Sequence, residues 1–177
     1  MSNEITPLPA TETALLGGGC FWCLEAVFKR VDGVIEITPG YAGGHLDSPT
    51  YRQVCTSATG HAEVVLIHFD PARISYRALL GIFFAIHDPT SLDRQGDDIG
   101  PQYRSIIFAL DEAQRATAQA VIDQIIAARV HSWPIVTQIA PAATFWPAEI
   151  EHHDYYALHP EQPYCQIVVA DKVKKLL

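Results

Sequence analysis

The stretch Thr13-Ala14-Leu15-Leu16-Gly17-Gly18-Gly19-Cys20-Phe21-Trp22-Cys23-Leu24-Glu25 holds a strand, a turn and the start of a helix in thirteen residues. Thr13 to Leu16 suits a short strand, and three glycines then break it. Phe21, Leu24, Val27 and Phe28 recur at the helical period, which predicts a helix over 21–31 with Gly33 beyond its end. Moving outward, Val34 to Tyr41 predicts a strand weakened at its end by Pro39, and Gly40 to Gly60 a long Gly/Ser/Thr-rich loop. Ala62 to Phe69 has apolar residues on both faces, as a central strand does. Ser75 caps a helix carrying Leu79, Ile82, Phe83 and Ile86, which ends before Pro89. A polar loop from Asp88 to Gln102 leads to a strand over 103–110. Asp111 then caps an Ala-rich helix to about Val130, a strand covers 135–139, and a helix covers 149–158. The order through Leu110 is βαββαβ, the ferredoxin-like split pattern. The expectation is an α+β two-layer sandwich, with a ferredoxin-like core, a mixed sheet and a C-terminal extension. It forms one domain over 1–177, with a loose arm at 1–12 and a tail at 159–177.

Composition bounds the function. The chain has 177 residues, 49% hydrophobic and 18% charged, an ordinary globular balance. Twelve Lys and Arg stand against 20 Asp and Glu, for a net charge of -8 and no basic stripe, so nucleic-acid binding is not expected. No apolar run is long enough for a membrane span, and the N-terminus lacks the charged and apolar regions of a signal peptide. A cytoplasmic monomer is expected. Four cysteines (Cys20, Cys23, Cys55 and Cys165) in a reducing compartment suggest redox or nucleophilic chemistry, or a metal. There is a single methionine, Met1.

The glycine turn places Cys20 at a helix N-terminus, where free N–H groups and the helix dipole favour a thiolate nucleophile. A small, inert buried cysteine is the competing reading of the same residues. Cys20 and Cys23 also have the spacing of a dithiol pair. A zinc site would need a second close pair, which Cys55, Cys165 and His152-His153 do not supply. Of the adjacent Phe21 and Trp22, one is expected to pack inward and the other to border the cysteine. Glu63 sits at the edge of a buried run, where desolvation would keep its carboxyl protonated and able to act as a general acid. Tyr51 and Tyr103 offer hydroxyls for a polar oxygen, although spacing alone does not bring their segments together.

These residues and their neighbours resemble the A-type peptide-methionine sulfoxide reductases across nearly the whole chain. The matching motifs include Gly19-Cys20-Phe21-Trp22-Cys23-Leu24-Glu25, Gly40-Tyr41-Ala42-Gly43-Gly44 and Tyr51-Arg52-Gln53-Val54-Cys55. In the same order follow Thr59-Gly60-His61-Ala62-Glu63, His87-Asp88-Pro89-Thr90, Arg94-Gln95-Gly96-Asp97-Asp98-Ile99-Gly100 and Gln102-Tyr103-Arg104-Ser105. The resemblance implies that Cys20 attacks the sulfoxide sulfur and that Glu63 protonates the oxygen. Tyr51 and Tyr103 then help to bind that oxygen, Asp98 acts through a bound water, and Phe21 and Trp22 receive the substrate methyl group. It implies reduction of the S epimer of methionine sulfoxide, free or in peptides and oxidised proteins, without metal or organic cofactor. Cys20 would pass through a sulfenic acid. A disulfide would follow, formed with Cys165 as the first candidate or Cys23 as the second, and reduced by thioredoxin or a similar dithiol. Cys23 and Ser57 stand where relatives often have Gly, and Asp93 where they often have Asn. Cys55 is read as structural.

Two rival readings use fewer of these residues. A general dithiol-disulfide oxidoreductase would need only Cys20 and Cys23, and a zinc-binding module would need a metal. The set Tyr51, Glu63, Asp98 and Tyr103 is superfluous to both.

Overall fold

The computed structural model describes residues 10–176. The sequence-expected arm therefore falls mostly outside the described residues, and its last position, Glu12, instead opens strand β1 (Glu12–Gly17). Helix α1 (Phe21–Phe28) follows directly, then β2 (Val34–Ala42), α2 (Tyr51–Cys55), β3 (Ala62–Phe69) and α3 (Tyr76–Ile86). Next come a two-strand ribbon, β4 (Arg94–Gln95) and β5 (Asp98–Ile99), then β6 (Ile106–Ala109) and α4 (Glu112–Ala127). The chain finishes with β7 (Gln138–Pro141), β8 (Trp146–Pro147), α5 (Tyr155–Leu158) and α6 (Ala170–Lys174).

Six strands form one sheet in the order β7-β6-β1-β3-β2-β8. All pairings are antiparallel except β6 with β7, so the sheet is mixed. β3 lies between β1 and β2, which is why its side chains are apolar on both faces. One face carries the main core, where Leu16, Val65 and Ile67 meet Leu24, Phe28, Leu79 and Phe83 from α1 and α3, and Val121 and Ile122 from α4. The other face has a smaller cluster built on Leu15, Val64, Ile106 and Phe108, with Phe145 packed against it. Both outer strands are short and end on a proline, Pro141 in β7 and Pro147 in β8.

Capping residues fix the helix starts. Ser75 accepts from the Ala78 N–H and Asp111 from the Gln114 N–H, as their sequence positions predict. The long 40–60 loop holds one unexpected element, α2, started by a capping box between Thr50 and Gln53.

Four expectations change, the first being the helix expected over 21–31, which ends at Phe28. The strand expected over 103–110 begins at Ile106, because Pro101–Tyr103 forms a 3-10 turn. The strand expected over 135–139 shifts to 138–141, because the Val136 N–H is taken by the Pro89 carbonyl instead of a strand. The helix expected over 149–158 splits into a 3-10 turn at Ile150–His152 and α5, separated by Asp154 in the left-handed region at φ 55°. The tail is helical: a wide turn at Cys165–Val169 runs into α6, and Cys165, Val169 and Val173 are buried in the main core. Among the described residues, no helix is long and apolar enough to cross a membrane.

Candidate active site

The site forms where β1 turns into α1. Gly19 has φ 92°, and a Cβ there would stand 2.7 Å from the Gln95 side chain. This glycine lets the chain leave the sheet and present Cys20 as the residue preceding the first turn of α1. Beside it on β3, Glu63 is 2% exposed, and its Oε1 is buried without a hydrogen-bond partner. Burial raises the Glu63 carboxyl well above its ordinary range, Asp98 raises it further, and the Phe21 N–H offsets only part of this. The sequence expectation of a protonated acid therefore agrees with the structure.

Cys20 departs from expectation. The helix N-terminus was expected to lower its pKa, but burial raises it well above the usual thiol value. Its hydrogen bond with Cys23 and the neighbouring Glu63 add to the rise, against which the Trp22 N–H pulls weakly. Desolvation outweighs the helix terminus here, which favours the thiol form of Cys20. Cys23 is lowered, chiefly by its hydrogen bond with Cys20.

The polar residues of distant loops converge on this pair. The Tyr103 phenol is raised by burial and then by Glu63, Asp98 and Cys20, and that of Tyr51 by burial and Glu63. Asp98, at the start of β5, accepts a hydrogen bond from the Tyr164 hydroxyl at 2.6 Å. The same hydroxyl oxygen lies 3.8 Å from Cys23 Sγ. Tyr164 belongs to the tail, and local sequence pattern did not single it out.

Phe21 and Trp22 divide as expected: Phe21 is fully buried and Trp22 partly exposed. Trp22 stacks on Tyr155, and its Nε1–H donates to His152 Nδ1 at 3.3 Å. The His152 ring also packs against Tyr51, with centroids 4.3 Å apart. Tyr51 is held from behind, because Glu149 accepts both its N–H and the hydroxyl of Tyr41, each at 2.9 Å. His152, Tyr155, Glu149 and Tyr164 are the contributors that sequence reasoning missed. All come from the C-terminal segment, whose partners lie some hundred residues upstream.

Two cysteines lie outside this pair. Cys165 is fully buried near Cys23, which contributes to raising its pKa after burial. Cys55, read as structural, is exposed and hydrogen-bonds with Tyr51. Glu149, Glu151 and His152 bring ligand-type atoms within 4.8 Å of one another. His152 Nδ1 accepts from Trp22 and the ring's pKa is lowered, chiefly by burial, so the neutral ring carries its proton on Nε2. That nitrogen is buried without a hydrogen-bond partner.

Comparison with known proteins shows the family. Residues 12–177 match the family described as Peptide methionine sulfoxide reductase. The chain is 57% identical to the peptide methionine sulfoxide reductase MsrA of Ralstonia nicotianae, over 98% of this chain and 93% of that protein. Among solved structures, it is similar to reduced Mxr1 from Saccharomyces cerevisiae, with TM-score 0.82 and 33% identity over 93% of this chain and 95% of the other. Mxr1 in complex with Trx2 matches with TM-score 0.58 and 25% identity, over 88% of this chain and 92% of that one. With the match running almost end to end, the chain belongs to the peptide methionine sulfoxide reductase family.

Proposed function

We propose that this oxidoreductase reduces the S epimer of methionine sulfoxide, free or in peptides and oxidised proteins, with Cys20 as nucleophile and Glu63 as acid. The observation that carries the reading is the Glu63 carboxyl, buried beside Cys20 with an unpartnered oxygen and a strongly raised pKa. A neutral carboxyl donates a hydrogen bond to a sulfoxide oxygen, which makes the sulfur more electrophilic. The Cys20 sulfur forms a bond to that sulfur. The oxygen and the thiol proton finish on Cys20 as a sulfenic acid, and the thioether leaves. Tyr51 and Tyr103 hold the oxygen and Asp98 acts on it through a bound water, while Phe21 and Trp22 receive the methyl group.

Recycling goes through an intramolecular disulfide and then thioredoxin or a similar dithiol, as the complex of Mxr1 with Trx2 supports. We place Cys23 ahead of Cys165 as the resolving thiol, reversing the order expected from sequence. Cys23 already hydrogen-bonds with Cys20, whereas Cys165 is fully buried in a helical tail. The strand order β6-β1-β3-β2, all antiparallel, supports a ferredoxin-like core within one domain. The protein is proposed to act as a cytoplasmic monomer.

The test is dithiothreitol-supported reduction of a methionine S-sulfoxide. Cys20→Ser is expected to abolish it, and Glu63→Gln to slow the reductase step by about 10²-fold. Full activity in Cys20→Ser would refute the assignment. A general dithiol oxidoreductase would reduce disulfides equally well without Glu63, so insulin reduction by Glu63→Gln separates that rival.

A further inference from the structure

Tyr164 donates its hydroxyl proton to Asp98 Oδ2 at 2.6 Å, and its oxygen is 3.8 Å from Cys23 Sγ. With that proton committed to Asp98, the phenol oxygen is left as an acceptor towards the Cys23 thiol. The three groups thus form a directed chain, Cys23 S–H to Tyr164 O–H to the Asp98 carboxylate. The ring of Tyr164 packs edge-on against Trp22, with centroids 5.9 Å apart, which fixes the hydroxyl in this position. The reductase chemistry proposed above has no use for a third tyrosine at this point.

We propose that Tyr164 and Asp98 form a proton relay that activates Cys23 for attack on the Cys20 sulfenic acid. This rests on the reading of Cys23 as the first resolving thiol. In the step, the Cys23 proton moves to the Tyr164 oxygen as the Tyr164 proton moves to the Asp98 carboxylate. The Cys23 sulfur pair forms the bond to Cys20 sulfur, and the sulfur–oxygen bond of the sulfenic acid breaks. The departing hydroxide takes the proton delivered to Asp98 and leaves as water. No external oxidant or reductant enters, because the sulfoxide has already oxidised Cys20. Asp98 serves both half-reactions: it acts on the oxygen through a bound water in the first and accepts the relayed proton in the second.

The experiment uses the full chain carrying Cys165→Ser, so that only Cys23 can resolve. A single turnover with a methionine S-sulfoxide peptide is followed in two readouts, methionine release and Cys20–Cys23 disulfide formation, with dimedone trapping to count surviving sulfenic acid. Tyr164→Phe keeps the ring against Trp22 and removes the relay. Disulfide formation is expected to slow at least about tenfold relative to methionine release, with sulfenic acid accumulating. Asp98→Asn added to Tyr164→Phe should slow the disulfide step no further, because the relay is already broken. An unchanged ratio of the two steps in Tyr164→Phe, or an additive loss in the double variant, overturns the relay while leaving Cys23 as resolver. If Cys165→Ser alone forms no Cys20–Cys23 disulfide, both the relay and the reading beneath it fail.

Discussion

The indole of Trp22 lies flat on the ring of Tyr155, with centroids 3.7 Å apart and planes 4° from parallel. Its far edge is fixed by the hydrogen bond to His152, so the indole proposed to receive the substrate methyl group is held at two points. Removing the stack with Tyr155→Ala frees the indole to rotate. Such a pair is worth about 0.5–1.5 kcal/mol beyond its area. The expected result is a KM for sulfoxide peptide raised roughly tenfold, with kcat less affected. Steady-state kinetics with dithiothreitol measures this. An unchanged KM would mean that the stack braces the tail and not the pocket.

Gly19 is the point at which strand becomes helix. Gly19→Ala imposes a left-handed conformation on a side chain and drives its Cβ to within 2.7 Å of Gln95 Cγ and 2.9 Å of Gln95 Cβ. Those atoms are the root of the Gln95 side chain, whose amide is tied to the backbone of Asp88 at both ends. Strain and overpacking together predict a loss of about 2–4 kcal/mol in urea unfolding, and a displaced Cys20. A loss below about 1 kcal/mol would show that the turn relaxes freely.

Glu25 links α1 to the tail. It is buried, its Oε1 accepts the Asp154 N–H at 2.8 Å, and burial raises its carboxyl from 4.5 to about 7. A carboxyl raised on folding holds its proton more tightly in the native state. Its stabilising contribution is therefore complete below the unfolded value of 4.5 and is lost as pH rises through about 7. Glu25→Gln cannot ionise and escapes that loss. Between about pH 5 and pH 8, the Tm of the variant relative to its parent is expected to shift upward by a few degrees. A gap that stays constant would show that Glu25 does not titrate in this window.

The residues that carried sequence signals are those whose environment is local. The 62–69 strand was legible because apolar residues on both faces leave a central position as its natural place, and Ser75 and Asp111 because capping acts over three residues. Cys20 was legible in place but not in charge state. Helix position is a local property, whereas the burial that raises its pKa comes from elements far along the chain. The same limit hid Tyr164, His152 and Glu149. Even α5 depends on a carboxylate 129 positions upstream, since Glu25 receives the N–H of the residue that starts it. Two sequence departures acquire a backbone meaning: Ser57 and Asp93 have φ 63° and 49°. Those angles favour Gly and Asn, the residues that the family resemblance leads one to expect there.

The two margins of the sheet bear on the kind of partner this protein meets. Oxidised, partly unfolded chains expose unpaired strands that search for a ladder to extend. β8 offers only two residues and β7 only four, and each closes on a proline, which has no N–H to donate. Under the proposed function, an oxidised protein substrate threads a sulfoxide side chain towards Cys20 without annealing along its backbone, and release after turnover need not break a cross-chain sheet.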